Sequence, residues 1–204
     1  AERRAASGAY SFTMVEREVT REDLECPDVL YGTMLRDPVQ MMTITLAHNN
    51  YLKGHIFAAL GNQSLPPPGE HGCLPHDDTF QHFDNFAVRT FSGNYDAAPG
   101  KLTVADLEAA KQTLRRMDVV LIFEEVKSHM AQLQSRFGWD RSLLSARPSD
   151  FDKGNQLEIR DLVPPRGFTQ AEKFFLAYHN KLDYELYEYG KKLASRLTNS
   201  AHRL

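Results

Sequence analysis

The sequence has neither a strong excess of one charge nor a long hydrophobic segment. Its 204 residues include 24 Lys and Arg against 27 Asp and Glu, which gives a formal net charge of −3 at pH 7. A chain without a basic excess lacks the electrostatic footprint of a protein that binds nucleic acid or coats an acidic membrane. The longest strongly apolar run, 119–123, is far shorter than the roughly 20 residues that a membrane-spanning helix needs. We therefore expect no nucleic-acid partner and no membrane-spanning segment in this chain.

Cysteine is also scarce, and the two copies leave two interpretations open. Cys26 and Cys73 fit either one disulfide in an oxidising compartment or two buried thiols. Asn62 begins an Asn-Gln-Ser pattern for N-glycosylation beside a run of three prolines, where a surface loop is expected. The first residue is Ala1 rather than Met, which fits a processed chain or a fragment whose targeting segment is missing.

Apolar residues are plentiful enough for a hydrophobic core. They make up 42% of the chain, and the length fits one domain. Residues 1–25 are polar and charged apart from a short alternating stretch, Tyr10, Phe12 and Met14, so we predict a peripheral segment with an edge strand there. The remaining residues, 26–204, are predicted to form the folded domain.

Strand and helix patterns alternate along this domain, which predicts an α/β fold with a parallel sheet and right-handed crossovers. The run 119–123 is uniformly apolar, as in a strand covered on both faces. Thr103 with Asp106, and Thr169 with Glu172, match the capping-box pattern that begins helices. The other expected elements are a strand within 29–35, helices over 38–56, 80–90, 103–116 and 124–137, and one long helix from 169 to about 197.

Arg36 lies where the first strand passes into a helix. Asp37 and Pro38 are an N-cap followed by proline at the first helical position. A guanidinium beside the free backbone amides and the positive dipole end of a helix is the outline of a phosphate site. The alternative is that Arg36 pairs with a carboxylate at the sheet edge.

Four segments of the chain match short motifs that occur together and in this order. The segments are 31–40, similar to an "LRDPV" stretch; 84–93, similar to "DN..VR..SG"; 102–139, similar to a helix, a "D.VLI.E" strand and an "L...LGW" helix; and 180–187, similar to "N.LD.ELY". Together they resemble the Golgi carbohydrate O-sulfotransferases of the heparan and chondroitin type, which use 3′-phosphoadenosine 5′-phosphosulfate (PAPS), and the resemblance covers most of 24–197. It implies a P-loop-NTPase-like sulfotransferase fold that lacks its N-terminal strand and loop here.

The resemblance also implies roles for individual residues. The family's arginine in this segment binds the 3′-phosphate of the cofactor, so Arg36 is the matching candidate. The family's serine eight positions later is Ile44 here, flanked by Thr43 and Thr45, which are the remaining cofactor-binding candidates. The 5′-phosphosulfate loop has no counterpart, because no apolar strand precedes the Arg, Ser and Gly residues of 1–10 to present them. The general base has no counterpart either, because the first histidine is His48.

Two functions follow from the resemblance. The first is an enzyme of the Golgi lumen that transfers a sulfuryl group from PAPS to a glycan hydroxyl, with its catalytic residues unassigned. The second is a catalytically inactive sulfotransferase-like subunit of a larger complex, motivated by Ile44 and by the missing loop and base. In that case a protein partner is expected to cover the exposed edge of the sheet. Nucleotide binding without transfer is a third possibility.

A polar loop and two glutamates are further candidates. The spacing of the His, Cys and Asp residues in the loop at 71–82 matches no structural zinc pattern, so we expect a solvated loop and no bound metal. Glu124 and Glu125 follow the buried strand and either face an acceptor sugar or supply an acidic first helical turn. The residues that crowd the loop are His71, Cys73, His76, Asp77, Asp78 and His82.

The other conspicuous side chains have simpler interpretations. Arg89 is expected to be an exposed arginine on an aromatic helix that also belongs to the family-like stretch with Asn85 and Gly93. Met41 and Met42 are expected to fill core space. The tyrosines of the last helical pattern, Tyr178, Tyr184, Tyr187 and Tyr189, are expected to be core and interface aromatics.

Overall fold

Two short parallel strands lie at the centre of the computed structural model, which describes residue 19 and residues 22–48, 79–139 and 168–203. Within these ranges the fold is α/β, as predicted, and it contains two strands and six α-helices. The strands are β1, Gly32–Leu35, and β2, Val119–Ile122. The helices are α1, Pro38–His48; α2, Phe86–Ser92; α3, Val104–Arg115; α4, Val126–Phe137; α5, Gln170–His179; and α6, Lys181–Ala201. Short 3-10 turns cover Glu22–Leu24, Thr79–Phe83 and Phe123–Glu125.

The strands run parallel and in register, with Gly32 opposite Val119 and Leu35 opposite Ile122. Successive side chains of a strand point to opposite faces of a sheet. Leu35 is accordingly directed at Gly190 of α6, whereas a side chain at Gly32 would meet the ring of Phe137 in α4. The small sheet is therefore covered by α6 on one face and by α4 on the other.

A glutamine side chain occupies the edge of β2 that faces away from β1. Gln132 of α4 accepts the backbone N–H of Val120 at 2.9 Å and donates to the Val120 carbonyl at 2.9 Å. Its amide nitrogen also lies 3.0 Å from the carbonyl oxygen of Ala194 in α6. These bonds satisfy the backbone groups that a further strand would otherwise pair with, so the described sheet ends here.

Two helical predictions differ from the structure in the same way. The aromatic helix expected over 80–90 is a 3-10 turn and a separate helix, divided at Asn85, whose backbone has a left-handed φ of 51°. The long helix expected from 169 is two helices, divided at Asn180. Both divisions come from long-range hydrogen bonds between Asn85 and Asn180, described below, which periodicity within one segment does not report.

Other local predictions are confirmed. Both capping boxes are formed, Thr103 with Asp106 and Thr169 with Glu172. α4 ends at Gly138 with a left-handed φ of 67°, the conformation in which glycine is favoured. Glu124 and Glu125 lie in a 3-10 turn before α4 rather than in its first turn.

Two described residues that precede β1, Val19 and Leu24, contact the core. Val19 donates its backbone N–H to the Thr90 carbonyl at 2.9 Å, and Leu24 is buried. Cys26 is exposed with a free thiol, whereas Cys73 and the glycosylation pattern at Asn62 lie outside the described residues. None of the helices in the described ranges is long and apolar enough to cross a membrane.

Candidate functional site

Arg36 and Phe123 meet at the carboxyl end of the parallel strands. Each is the first residue after its strand, and the register places Leu35 opposite Ile122, so the two side chains emerge side by side. The Arg36 guanidinium lies over the Phe123 ring, with its central carbon 3.8 Å from the ring centroid. Phe123 was predicted only as the end of a strand. The rule that parallel strands end at one edge of a sheet could have identified it as the partner of Arg36.

The Arg36 guanidinium has a hydrogen-bond donor that is not paired in the described part of the chain. Its Nε is buried and has no hydrogen-bond partner in the described part of the chain. Burial lowers the pKa of the guanidinium, while the nearby Glu124 carboxylate acts in the opposite direction. No ion pair joins Arg36 to a carboxylate within the described ranges.

The backbone amides at the start of α1 are not free, in contrast to the sequence expectation. The Asp37 N–H donates to Glu124 at 3.0 Å, and the Gln40 N–H donates to the Asp37 side chain at 2.9 Å. Position 38 is proline, which has no backbone N–H to donate. Side chains of this chain therefore occupy two of the donors that an incoming phosphate would use.

Glu124 joins the start of α1 to α6. One oxygen accepts the Asp37 N–H, and the other accepts the hydroxyl of Tyr187 at 3.0 Å. Burial and the hydrogen bond to Glu124 raise the pKa of the Tyr187 phenol. The phenol therefore acts as a hydrogen-bond donor rather than as a base, and Glu124 serves as a bridge between elements.

The two threonines predicted for cofactor binding direct their hydroxyl groups at their own helix. Thr43 donates to the Val39 carbonyl at 2.7 Å, and Thr45 donates to the Met41 carbonyl at 3.0 Å. Thr45 is buried, and Thr43 is half-buried. In this arrangement the hydroxyl protons are not available to an anion, so Arg36 alone among the three candidates presents unused donors.

The two family-like stretches around Asn85 and Asn180 are brought together as a structural lock. The Asn85 N–H donates to the Asn180 amide oxygen at 2.6 Å, and the Asn85 amide oxygen accepts from the backbone of Leu182 and Asp183. The Asp183 carboxylate in turn accepts the N–H groups of Ala87 and Val88 at 3.0 and 2.8 Å. Each side therefore caps the first turn of the other's helix.

Arg89 was predicted to be exposed, and this prediction is wrong, because its side chain is completely buried. The guanidinium forms an ion pair with Asp84 and donates to the carbonyls of Asp84, Tyr95 and Ala97. These acceptors explain the burial, because they lie on both sides of α2, at Asp84 before the helix and at Tyr95 and Ala97 after it. Arg89 thus stabilises the fold and does not face a ligand.

The tyrosines predicted as core and interface aromatics differ in exposure. Tyr184, Tyr187 and Tyr189 are half-buried, whereas Tyr178 is 71% exposed. Met42 lies in the core as predicted, and Met41 is half-buried.

The crowded polar loop lies outside the described residues, apart from His82. Within the ranges that the structure describes, no group of three or more His, Cys, Asp and Glu side chains is arranged to hold a metal ion.

Comparison of the chain with protein-family models, with curated proteins and with solved structures finds no match.

Proposed function

We propose that this chain is a sulfotransferase-like α/β domain in which Arg36 binds the 3′-phosphate of a 3′-phosphoadenosine nucleotide. The supporting observation is the guanidinium stacked on Phe123, with a buried Nε that lacks a partner in the described part of the chain. Stacking holds a planar guanidinium in one orientation and leaves its donor edge available for a phosphate. Open α/β sheets bind their ligands at this end of the strands.

On this proposal the two strands belong to a P-loop-NTPase-like sheet. The reaction is the transfer of a sulfuryl group from PAPS to a glycan hydroxyl in the Golgi lumen, with the hydroxyl proton passing to a base. Arg36 supplies the grip on the nucleotide. The cradle for the 5′-phosphosulfate and the base are not assigned to residues of this chain.

The alternative is a catalytically inactive sulfotransferase-like subunit, and one observation favours it. Two helix amides beside Arg36 are occupied, and the carboxylates of Asp37 and Glu124 lie at the same edge. An entering phosphate meets both negative charges. In this alternative the domain acts through a partner protein that covers β1.

Titration with a nucleotide, compared between the wild type and Arg36 variants, distinguishes the nucleotide-binding domain from the inactive subunit. A ligand that binds only the folded state stabilises it, by about 2.7 kcal/mol at a concentration of 100 Kd. We expect 3′-phosphoadenosine 5′-phosphate to raise the melting temperature of the wild-type chain. The rise should be lost in Arg36→Ala and reduced in Arg36→Lys, because lysine lacks the planar fork.

Each variant is compared with and without nucleotide, since loss of the stack on Phe123 changes its own melting temperature. Arg136→Ala, which removes an exposed arginine of α4, is the matched control and should keep the full rise. A folded wild-type sample that shows no rise at millimolar nucleotide would contradict nucleotide binding and support the inactive subunit.

A further inference from the structure

A basic groove runs along the C-terminal half of α6, on the other side of Glu125 from the Arg36 site. Its volume is about 640 Å³, within the range of small-molecule sites. Four cationic and two anionic side chains line it, although the chain as a whole carries a net charge of −3. These charged residues are Lys191, Lys192, Arg196, Arg203, Glu125 and Glu188.

Three of the cations are free to bind a ligand. Lys191 is paired with Glu188 at 3.3 Å, but Lys192, Arg196 and Arg203 are exposed and have no ion pair in the described part of the chain. Lys192 and Arg196 are one helical turn apart, about 6 Å along the axis, and Arg203 follows about two turns later. Arginine binds phosphate and sulfate oxygens through two parallel hydrogen bonds. This spacing suits a ligand with two separate oxoanion groups.

A buried histidine lies next to Glu125 at the acidic end of the groove. His129 Nδ1 lies 2.9 Å from the Thr198 hydroxyl. His129 Nε2 has no hydrogen-bond partner in the described ranges and lies 3.9 Å from the Glu125 carboxylate. The Glu125 carboxylate is half exposed, so its oxygens can accept a hydrogen bond from a ligand.

We propose that this groove binds a small hydroxylated molecule that carries two phosphate or sulfate groups. The oxoanions lie along Lys192, Arg196 and Arg203, and a ligand hydroxyl donates to Glu125 at the acidic end. Glu125 and Glu188 disfavour a uniform polyanion because like charges repel, whereas they accept hydrogen bonds from hydroxyl groups. The site is separate from Arg36 and does not depend on the nucleotide proposal.

Calorimetric titration of the full chain with fructose 1,6-bisphosphate tests the proposal at low ionic strength, where exposed charges are least screened. We expect a dissociation constant below about 1 mM. Arg196→Ala and Arg203→Ala should each weaken binding about tenfold or more, because each removes charge-assisted hydrogen bonds. Fructose and inorganic phosphate, each alone, should bind much more weakly, and a bis-sulfated sugar shows whether sulfate esters substitute for phosphate esters.

Two control variants test whether a loss of affinity is specific to the residues of the groove. Lys173→Ala and Arg136→Ala each remove one exposed positive charge outside the groove and should leave the affinity unchanged. Circular dichroism verifies that the groove variants are folded, which their exposed positions favour. The proposal is overturned if the folded wild type gives no binding, if inorganic phosphate binds as tightly as the bisphosphate, or if all four variants weaken binding equally.

Discussion

At the scale of single residues, Asp183 combines complete burial with a capping role. Burial raises the pKa of its carboxyl to about 7, against the opposing effect of the Ala87 and Val88 N–H groups. Asp84 raises the pKa further, and Arg89 lowers it. The carboxyl therefore binds a proton in the folded chain at pH values where it is ionised in the unfolded chain, and folding stability depends on pH.

We predict that Asp183 makes the chain less stable as the pH rises from 5 to 8. Because the folded pKa lies above the unfolded one, protonation favours the folded state below about pH 7, and this contribution disappears at higher pH. Relative to Asp183→Asn, the wild-type free energy of unfolding should fall by about 2 to 3 kcal/mol over this interval. Urea denaturation at both pH values measures the difference.

Glu185→Gln is the control for Asp183, because Glu185 is an exposed acid on the same helix. It should follow the wild-type pH dependence. If Asp183→Asn and the wild type lose stability in parallel between the two pH values, then Asp183 does not titrate in this interval.

The buried polar residues are also where sequence prediction was weakest. Periodicity assigns polar positions of a helix to its exposed face, yet Arg89, Gln132 and Asp183 are buried. Gln132 and Asp183 are satisfied by backbone groups of other elements, and Arg89 is satisfied by Asp84 and by two carbonyls of the loop after its own helix. These partners are fixed only when the elements pack together, so a pattern within one segment does not reveal them.

At the scale of elements, the contact between β1 and α6 depends on Gly190. This glycine is buried inside α6, and a Cβ at its position would overlap the Cδ1 of Leu35. Glycine is unfavourable inside a helix compared with alanine. Its presence here has a structural reason, which is that the absence of a side chain lets Leu35 pack against the helix backbone.

We predict that Gly190→Ala destabilises the chain, although alanine is the better helix former by about 1 kcal/mol. Overpacking against buried Leu35 should cost about 1 to 3 kcal/mol of the free energy of unfolding. In a Leu35→Ala background the same substitution should become neutral or stabilising, because the overlap is gone. Chemical denaturation of the four chains gives the coupling. A Gly190→Ala variant that is more stable than wild type would show that the overlap is relieved at no cost.

The elements that were predicted correctly are those with strong local signals. β2 is an uninterrupted apolar run, and α3 and α5 begin with capping boxes. The breaks at Asn85 and Asn180 carry no such signal, because the two asparagines are 95 positions apart and bond to each other. For the candidate site, Arg36 could be predicted from the sequence, but the roles of Phe123 and Tyr187 could not, because they require the sheet and α6.

At the scale of the whole molecule, β1 presents apolar surface at the end of the described sheet. Met34 is 51% exposed and Leu30 is 49% exposed. β2 is the neighbour of β1 among the described strands, and exposed strand edges with apolar side chains favour association with another chain.

We predict that the isolated chain self-associates through this surface and that Met34→Lys reduces the association, because a lysine blunts an exposed edge. Val104→Lys adds the same charge at an exposed apolar position on α3 and should leave association unchanged. Sedimentation velocity over a concentration series compares the three chains. A wild-type chain that sediments as a monomer at every concentration would contradict the prediction.

The lock between Asn85 and Asn180 also has a consequence for the order in which the chain is made. The first turn of α2 is capped by the Asp183 carboxylate, and the first turn of α6 is capped by the Asn85 amide. Translation proceeds from the N-terminus, so the N–H groups at 87 and 88 have no cap until residue 183 leaves the ribosome. A chain released before residue 180 keeps the aromatic residues of α2 but lacks their cap and the cover of α6. Such a chain cannot complete the core described here, which makes it a substrate for chaperones and proteases.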